Sequence, residues 1–214
     1  MKRWILLSCG LLFTLLGIVV VAMNIFSFQQ ELSVLEETNE QIQIEQMAKI
    51  PRQYVIPDER YQDKEADPET IVYQIRPKKG EQFGSLVIPK LGLKLPLIEG
   101  TGKREWAKGI GHYRNSVLPG EKDTSVLAGH RETSLKRAGE IKKGDLLRVD
   151  THEGEFIYAV TKMWIVDENN REVIVSTQRP IIRLVTCYPF DMLSTSTERY
   201  IIEAELVDSK QKRP

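Results

Sequence analysis

The sequence is 214 residues long and contains 30 basic and 30 acidic side chains, which give a formal net charge of zero. Binding to nucleic acid phosphates requires an excess of basic residues, so this balance argues against nucleic acid as a partner. The length is sufficient for one domain with a proper hydrophobic core.

The N-terminal segment predicts a membrane anchor. Lys2 and Arg3 precede residues 4–28, which carry no charged side chain and exceed the roughly 20 residues that cross a bilayer. Because basic residues stay in the cytoplasm, we predict a single-pass protein of the cell membrane whose remaining chain is extracellular. A cleaved signal peptide and a lipoprotein acylated at Cys9 are weaker alternatives. No Ala-x-Ala-like site is evident near Asn24, and Cys9 precedes most of the apolar run.

Residues 29–80 predict a connecting segment. The stretch 29–50 has apolar residues at loosely helical intervals and no Gly or Pro, which is typical of a helical stalk. Prolines and many charges in residues 51–80 favour an extended linker. We place the folded domain at residues 81–208 and a short C-terminal tail at residues 209–214.

Short apolar runs separated by turn signals fill the rest of the chain. These runs predict eight strands, at residues 84–88, 93–98, 125–128, 146–149, 156–160, 164–166, 181–186 and 200–207. The turn His152–Gly154 joins two of them as a hairpin, and the connections 102–122 and 130–143 have room for short helices. The pattern predicts an all-β fold in which antiparallel strands form either a sandwich or a barrel.

Two of the predicted strands end in side chains suited to nucleophilic catalysis. Cys187 ends the run 181–186, and Pro189 breaks the strand soon afterwards. It is the only cysteine beyond the anchor, so it is either a buried apolar residue or a reactive thiol. His130 follows the run 125–128 in the same way, and a thiol with an imidazole is the minimum set of groups for covalent catalysis.

Three further side chains are candidates to be weighed between a structural and a functional role. His152 lies in the hairpin turn, where a solvated histidine is usual. His112 lies in the Gly-rich stretch 109–113 and could line a groove. Arg199 opens the last strand, where arginines are usually surface residues. Its functional interpretation is a fixed guanidinium that binds a developing oxyanion or a substrate carbonyl.

Together these segments resemble the sortases, the membrane-anchored cysteine transpeptidases of Gram-positive bacteria. The segment Leu184–Cys187 is similar to the family's Thr-Leu-x-Thr-Cys signature. Segments 109–121 and 126–131 are similar to the histidine half of the family pattern, and segment 187–190 with Arg199 is similar to its cysteine and arginine half. The order of these motifs behind an N-terminal anchor looks most like class D.

The resemblance covers residues 83–207 and implies an eight-stranded β-barrel with short helices in its connections. It also implies cleavage of an LPxTG-like sorting signal after Thr, through a thioester on Cys187. The surface protein is then joined to an amino group of a lipid-linked peptidoglycan precursor or cell-wall peptide. His130 is implied as general acid and base and Arg199 as the ligand of the oxyanion, with no metal or organic cofactor required.

Residues that bind the substrate are implied at Thr186, Tyr188, His112 and Glu132. Glu132 stands where relatives usually have Asp. The loop Asp191–Thr197 is rich in Ser and Thr and lacks the Gly and Pro that relatives often carry, which leaves the preferred sorting signal open. Some sortases bind calcium near the site, but the sequence has no dense carboxylate cluster that would serve it, so calcium stimulation also stays open.

Three other functions are compatible with the residues. A hydrolytic cell-wall cysteine peptidase would use the same thiol, although the common bacterial enzymes of that kind place Cys before His in the chain. A pilin-polymerising sortase commonly has a C-terminal membrane segment and an Asp-Pro-aromatic lid, whereas Glu69 follows Asp67 and Pro68 here. A non-catalytic binding module would keep the fold and bury an inert Cys187.

Overall fold

The computed structural model describes residues 17–30, 73–190 and 196–211. Residues 17–30 form an exposed helix, α1. In these three ranges, no helix has the length and apolar character needed to cross a bilayer. The predicted anchor at residues 4–28 and the predicted stalk and linker at residues 29–80 lie partly outside the described residues.

Eight strands close into one barrel, which confirms the predicted all-β fold. They are β1 (Gln82–Ile88), β2 (Leu93–Glu99), β3 (Ile110–His112), β4 (Thr124–Ala128), β5 (Leu146–Thr151), β6 (Gly154–Asp167), β7 (Ile181–Tyr188) and β8 (Glu198–Gln211). Their order around the barrel is β1-β2-β3-β4-β7-β8-β6-β5. The connections hold a short helix, α2 (Lys103–Trp106), and the 3-10 helices Ala138–Glu140 and Glu172–Ile174.

The individual strands differ from the prediction at two places. The sequence predicts a loop where the structure has β3, and it predicts two strands where β6 runs unbroken from Gly154 to Asp167. The expectation of a purely antiparallel sheet is wrong, because β3 is parallel to β2 and β7 is parallel to β4. The chain therefore returns, before β3 and again before β7, to the end of the barrel at which β2 and β4 begin.

The barrel interior fixes which side chains of β7 and β8 face outward. Ile182 and Leu184 of β7 and Ile202 of β8 belong to the buried core. Side chains alternate between the two faces of a strand, so the residues between them point away from the core. Arg183 and Glu203 accordingly pair across the outer face at 2.8 Å.

Buried tyrosines close the end of the barrel at which β4 and β7 begin. The hydroxyl of Tyr158 accepts a hydrogen bond from the Gly120 backbone N–H at 2.7 Å, and the hydroxyl of Tyr73 donates to the Pro119 carbonyl at 2.8 Å. Gly120 has φ of +92°, and a Cβ there would lie 2.5 Å from the Phe156 ring, so the turn requires glycine. Burial raises the pKa of both phenols above their usual range.

These raised pKa values make stability sensitive to alkaline pH. The phenols lose their protons near pH 10 in the unfolded protein but keep them in the folded protein. The contribution of these groups to the free energy of unfolding is therefore constant below about pH 10 and decreases as the pH rises further. Tyr158→Phe removes the acceptor of the Gly120 N–H, and we expect a loss of about 1–3 kcal/mol at pH 7. Urea unfolding at pH 7 and pH 11 should show a smaller alkaline decrease for Tyr158→Phe than for the wild type. An equal decrease in the free energy of unfolding for both proteins would contradict the raised pKa of Tyr158.

Candidate active site

Cys187 and Arg199 face each other across two neighbouring strands. They are directly opposite in the antiparallel ladder of β7 and β8, between the pairs Thr186–Tyr200 and Tyr188–Glu198. Both point to the outer face, because they alternate with the core-facing residues of their strands. Opposite residues in such a ladder lie about 5 Å apart, so the guanidinium of Arg199 is within reach of groups bound at the Cys187 thiol.

His130 reaches the same level on the other side of β7. The parallel ladder of β4 and β7 ends with Ala128 opposite Val185, and the Gly129 N–H donates to the Val185 carbonyl at 3.1 Å. Two residues beyond this pair are His130, just past the end of β4, and Cys187, near the end of β7, so the two residues lie at the same end of adjacent strands. The register thus places His130, Cys187 and Arg199 at one end of the neighbouring strands β4, β7 and β8, and we call these three residues the outer-face row.

The glycine before His130 is required by close packing. A Cβ at Gly129 would lie 2.5 Å from Cδ1 of Ile110 and 3.1 Å from Cδ1 of Leu135. The backbone can pass this crowded point only without a side chain. The Leu135 N–H donates to the His130 carbonyl at 2.9 Å, so the loop folds back immediately after the histidine.

The His130 imidazole is held between an indole and a carboxylate. The ring centroids of Trp106 and His130 lie 4.9 Å apart in an edge-to-face arrangement, a contact worth about 1 kcal/mol. Glu132 Oε2 lies 3.8 Å from His130 Nδ1. Trp106 Nε1 is buried and has no acceptor among the described residues, so packing fixes this indole. The imidazole is 32% exposed and can therefore meet a ligand from solvent.

Arg131 connects the histidine loop with the segment that follows Cys187. Its side chain is only 5% exposed. Its Nε donates to Glu132 Oε1 at 2.8 Å, and its Nη1 donates to the Pro189 carbonyl oxygen at 2.6 Å. The same guanidinium therefore holds the carboxylate beside His130 and the backbone two residues after the thiol.

The residues predicted to bind substrate occupy different surroundings. Thr186 is buried on the core-facing side of β7, and Tyr188 is half-buried in an aromatic cluster with Phe190 and Tyr200. Glu132 lies beside His130 and is 34% exposed. Of these three, Glu132 contacts the outer-face row, whereas Thr186 and Tyr188 alternate with Cys187 along β7 and face the other side of the strand.

His112 is 1% exposed and is the last residue of β3. Its Nδ1 lies 2.6 Å from Glu99 Oε2, and its Nε2 lies 2.9 Å from the Val117 carbonyl oxygen. These contacts tie β2 and β3 to the loop that precedes β4. An effect of His112 on substrate binding would therefore have to come through this loop.

Two of the side chains that contact the row carry no functional signal in the sequence. Trp106 stands in a region interpreted only as a connection, and Glu168 follows β6 without any recognisable motif. In the described parts of the chain, no group of three His, Cys, Asp or Glu side chains is placed to hold a metal ion.

Comparison with known proteins identifies the family. The family model of the sortase domain matches residues 86–207. Sortase D of Bacillus subtilis (strain 168) is 41% identical over 133 residues, which cover 62% of this chain and 67% of that protein. Sortase A of Bacillus anthracis is 27% identical over 139 residues, which cover 63% of this chain and 64% of that protein.

Solved structures agree with this result. The SrtA sortase from Actinomyces oris has a TM-score of 0.61 and 27% identity, and the similarity covers 69% of this chain and 93% of that chain. Sortase C from Clostridium perfringens SM101 has a TM-score of 0.56 and 27% identity, covering 61% of this chain and 72% of that chain. The chain therefore belongs to the sortase family, whose members are cysteine transpeptidases acting on cell-wall surface proteins.

Proposed function

We propose that this protein cleaves an LPxTG-like sorting signal after Thr and transfers the surface protein to an amino group of a peptidoglycan precursor. The observation that carries the proposal is the outer-face row, because it supplies a nucleophile, a proton carrier and an anion ligand at one end of neighbouring strands. The similarity to Sortase D over much of the domain supports a class D enzyme.

In the first half-reaction, the Cys187 thiolate attacks the carbonyl carbon of the substrate Thr. The carbonyl oxygen becomes an oxyanion, which the Arg199 guanidinium stabilises. When the tetrahedral intermediate collapses, the C–N bond breaks and His130 gives a proton to the departing amine. The acyl group remains on sulfur as a thioester.

In the second half-reaction, the amine of the cell-wall precursor attacks the thioester, and His130 takes its proton. The C–S bond breaks and Cys187 leaves as the thiolate, ready for another cycle. We propose that these steps use no metal or organic cofactor, since a side chain serves each proton transfer and the developing negative charge. Glu132 and the half-buried Tyr188 are proposed to shape the groove around the substrate, and the buried Thr186 to support the β7 backbone next to Cys187.

The location of the enzyme is part of the proposal. Residues 4–28 are proposed as a single membrane span, with the barrel on the extracellular side. Both substrates, an exported protein and a lipid-linked precursor, are held at the same bilayer. Tethering the enzyme there raises the effective concentration of all three without any additional contact.

A peptide-transfer assay tests the proposed function. The full chain in detergent micelles is incubated with a panel of quenched fluorescent Leu-Pro-x-Thr-Gly peptides, with and without triglycine as the amine. We expect cleavage after Thr and a ligated Thr-triglycine product identified by mass spectrometry. Cleavage that gives only the free acid in the presence of triglycine would instead indicate a hydrolytic peptidase. No cleavage of any peptide, with an unreactive Cys187, would favour a binding module.

Arg131 provides a prediction about the coupling of the two loops. Arg131→Met should lower kcat/KM about tenfold, because Glu132 and the Pro189 carbonyl lose their common partner and His130 is no longer held at the level of Cys187. Arg148→Met is the matched control, since it removes a similarly buried guanidinium from β5, away from the row. An Arg131→Met protein with wild-type kinetics at a temperature where it is folded would contradict this role.

A further inference from the structure

The Arg199 guanidinium is already engaged on one side by a carboxylate and by backbone. Its Nη2 donates to Glu168 Oε2 at 2.8 Å. Its Nη1 donates to the Glu198 carbonyl at 2.9 Å and to the Ser196 carbonyl at 3.2 Å. The Arg199 side chain is 27% exposed and that of Glu168 is 40% exposed, so the pair lies at the surface of the site.

Glu168 approaches Arg199 from the side away from Cys187. Arg199 stands between Cys187 on β7 and Val166 on β6 in the two ladders of β8. Glu168 comes two residues after Val166, and its N–H donates to the Thr197 carbonyl at 2.8 Å, which continues the β6–β8 ladder past Asp167. A spacing of two returns a side chain to the same face of the sheet. The carboxylate therefore contacts the guanidinium from the β6 side, on the outer face.

The donors that remain on Arg199 suit the proposed oxyanion. A guanidinium has five N–H groups in a fixed plane. The Nη1 donors are directed at Ser196 and Glu198, and one Nη2 donor is directed at Glu168. Among the residues that the structure describes, neither the Nε–H nor the second Nη2–H has an acceptor, so we infer that these two donors serve the substrate.

We propose that Glu168 is a positioning residue that holds Arg199 in the orientation in which it stabilises the oxyanion. This inference rests on the proposed function. An arginine side chain has several rotatable bonds, and fixing it before the reaction avoids the entropy of ordering it in the transition state. Because the pair is partly exposed, its contribution to the stability of the fold is small, whereas its effect on the orientation of Arg199 is direct.

The opposite role for the same contact would be a restraint that draws Arg199 away from Cys187 until substrate displaces Glu168. The two roles predict opposite changes of rate. When a positioning carboxylate is removed, kcat falls, and when a restraining carboxylate is removed, kcat rises. We favour positioning because the backbone carbonyls of Ser196 and Glu198 also hold the guanidinium in this orientation. These acceptors are neutral and do not compete with the oxyanion for the positive charge of Arg199.

A double-mutant cycle in the full chain tests this role. Glu168→Ala, Glu168→Gln, Arg199→Ala and the double variant Glu168→Ala/Arg199→Ala are compared with wild type in the peptide-cleavage assay. The control is Glu205→Ala, which removes an exposed glutamate paired with Arg179 at 2.6 Å, remote from the outer-face row. The unfolding midpoint of each protein, measured by circular dichroism, separates rate effects from misfolding.

We expect Glu168→Ala to lower kcat about tenfold with KM within about twofold of wild type, and Glu168→Gln to retain most of the rate because it keeps an acceptor. In the Arg199→Ala background, Glu168→Ala should change kcat by less than about twofold, since the group it positions is gone. A rise in kcat for Glu168→Ala, an unchanged kcat, or additive losses in the double variant would overturn the inference. If Arg199→Ala itself is fully active while Cys187→Ala is inactive, the proposed role of Arg199 fails, and the inference fails with it. If Arg199→Ala is impaired but Glu168→Ala is not, only the inference fails.

Discussion

Replacing Cys187 by alanine should lower the rate of sorting-signal cleavage at least about a thousandfold, the largest effect expected of any single change. The reason is that the proposed path has a covalent thioester intermediate, and Cys187 supplies the thiol of the outer-face row. Cys187→Ser is the closest replacement in size. We expect it to lose at least about a hundredfold, since a hydroxyl is far less ionised than a thiol near neutral pH. The measurement is kcat/KM for the full chain with the quenched peptide.

The fold should tolerate both substitutions. Cys187 is half-buried at the end of β7, and its side chain lies on the outer face, outside the core cluster. The unfolding midpoints of both variants should therefore stay close to that of wild type. A folded Cys187→Ala protein that cleaves at the wild-type rate would remove Cys187 from the mechanism.

Replacing His130 by alanine should lower kcat/KM by about a hundred- to ten-thousandfold, because the departing amine loses its proton donor and the attacking amine loses its proton acceptor. Both half-reactions should become slower, so the yield of the triglycine product should fall together with the cleavage rate. His152→Ala is the matched control, since this second histidine is exposed in the turn between β5 and β6. The measurement is kcat/KM for both variants, with product analysis in the presence of triglycine.

A loss of less than about fivefold for His130→Ala would contradict its proposed role as general acid and base. An equal loss for His152→Ala would show that the effect is unrelated to the outer-face row. The imidazole of His130 is 32% exposed, so the unfolding midpoint of His130→Ala, measured by circular dichroism, should stay close to that of wild type. A large decrease in that midpoint would indicate that the fold had been disturbed rather than that a proton carrier had been lost.

The all-β class and the strand ends could be predicted from the sequence because they follow from local pattern. Alternation, β-branched residues and turn signals mark β1, β2, β4, β5 and β7 within a residue or two of their observed bounds. The three-residue β3 escapes this pattern because Gly111 lies at its centre and it has too few residues to alternate. β6 is interpreted as two strands because its pairing with β8 shifts between Val160 and Lys162, which interrupts the alternation.

The meeting of the three reactive groups could not be derived from spacing. His130 and Cys187 lie beside each other because β4 and β7 are parallel neighbours, a pairing of strands far apart in the chain. The sequence indicates that each is a strand end and does not indicate which strands are adjacent, so their convergence had to be inferred from the family resemblance. Glu168 gives no signal at all, since its contact with Arg199 depends on the register of β6 against β8.

The most direct test of the account is to trap the acyl-enzyme. The full chain is mixed with the sorting-signal peptide in the absence of an added amine, quenched in acid within the first turnovers and analysed by intact mass spectrometry and peptide mapping. We expect an adduct with the mass of the peptide fragment that ends in Thr, located on Cys187, removed by hydroxylamine and absent from the Cys187→Ala protein. Turnover with no adduct under these conditions, or an adduct located on a different residue, would contradict a thioester mechanism at Cys187.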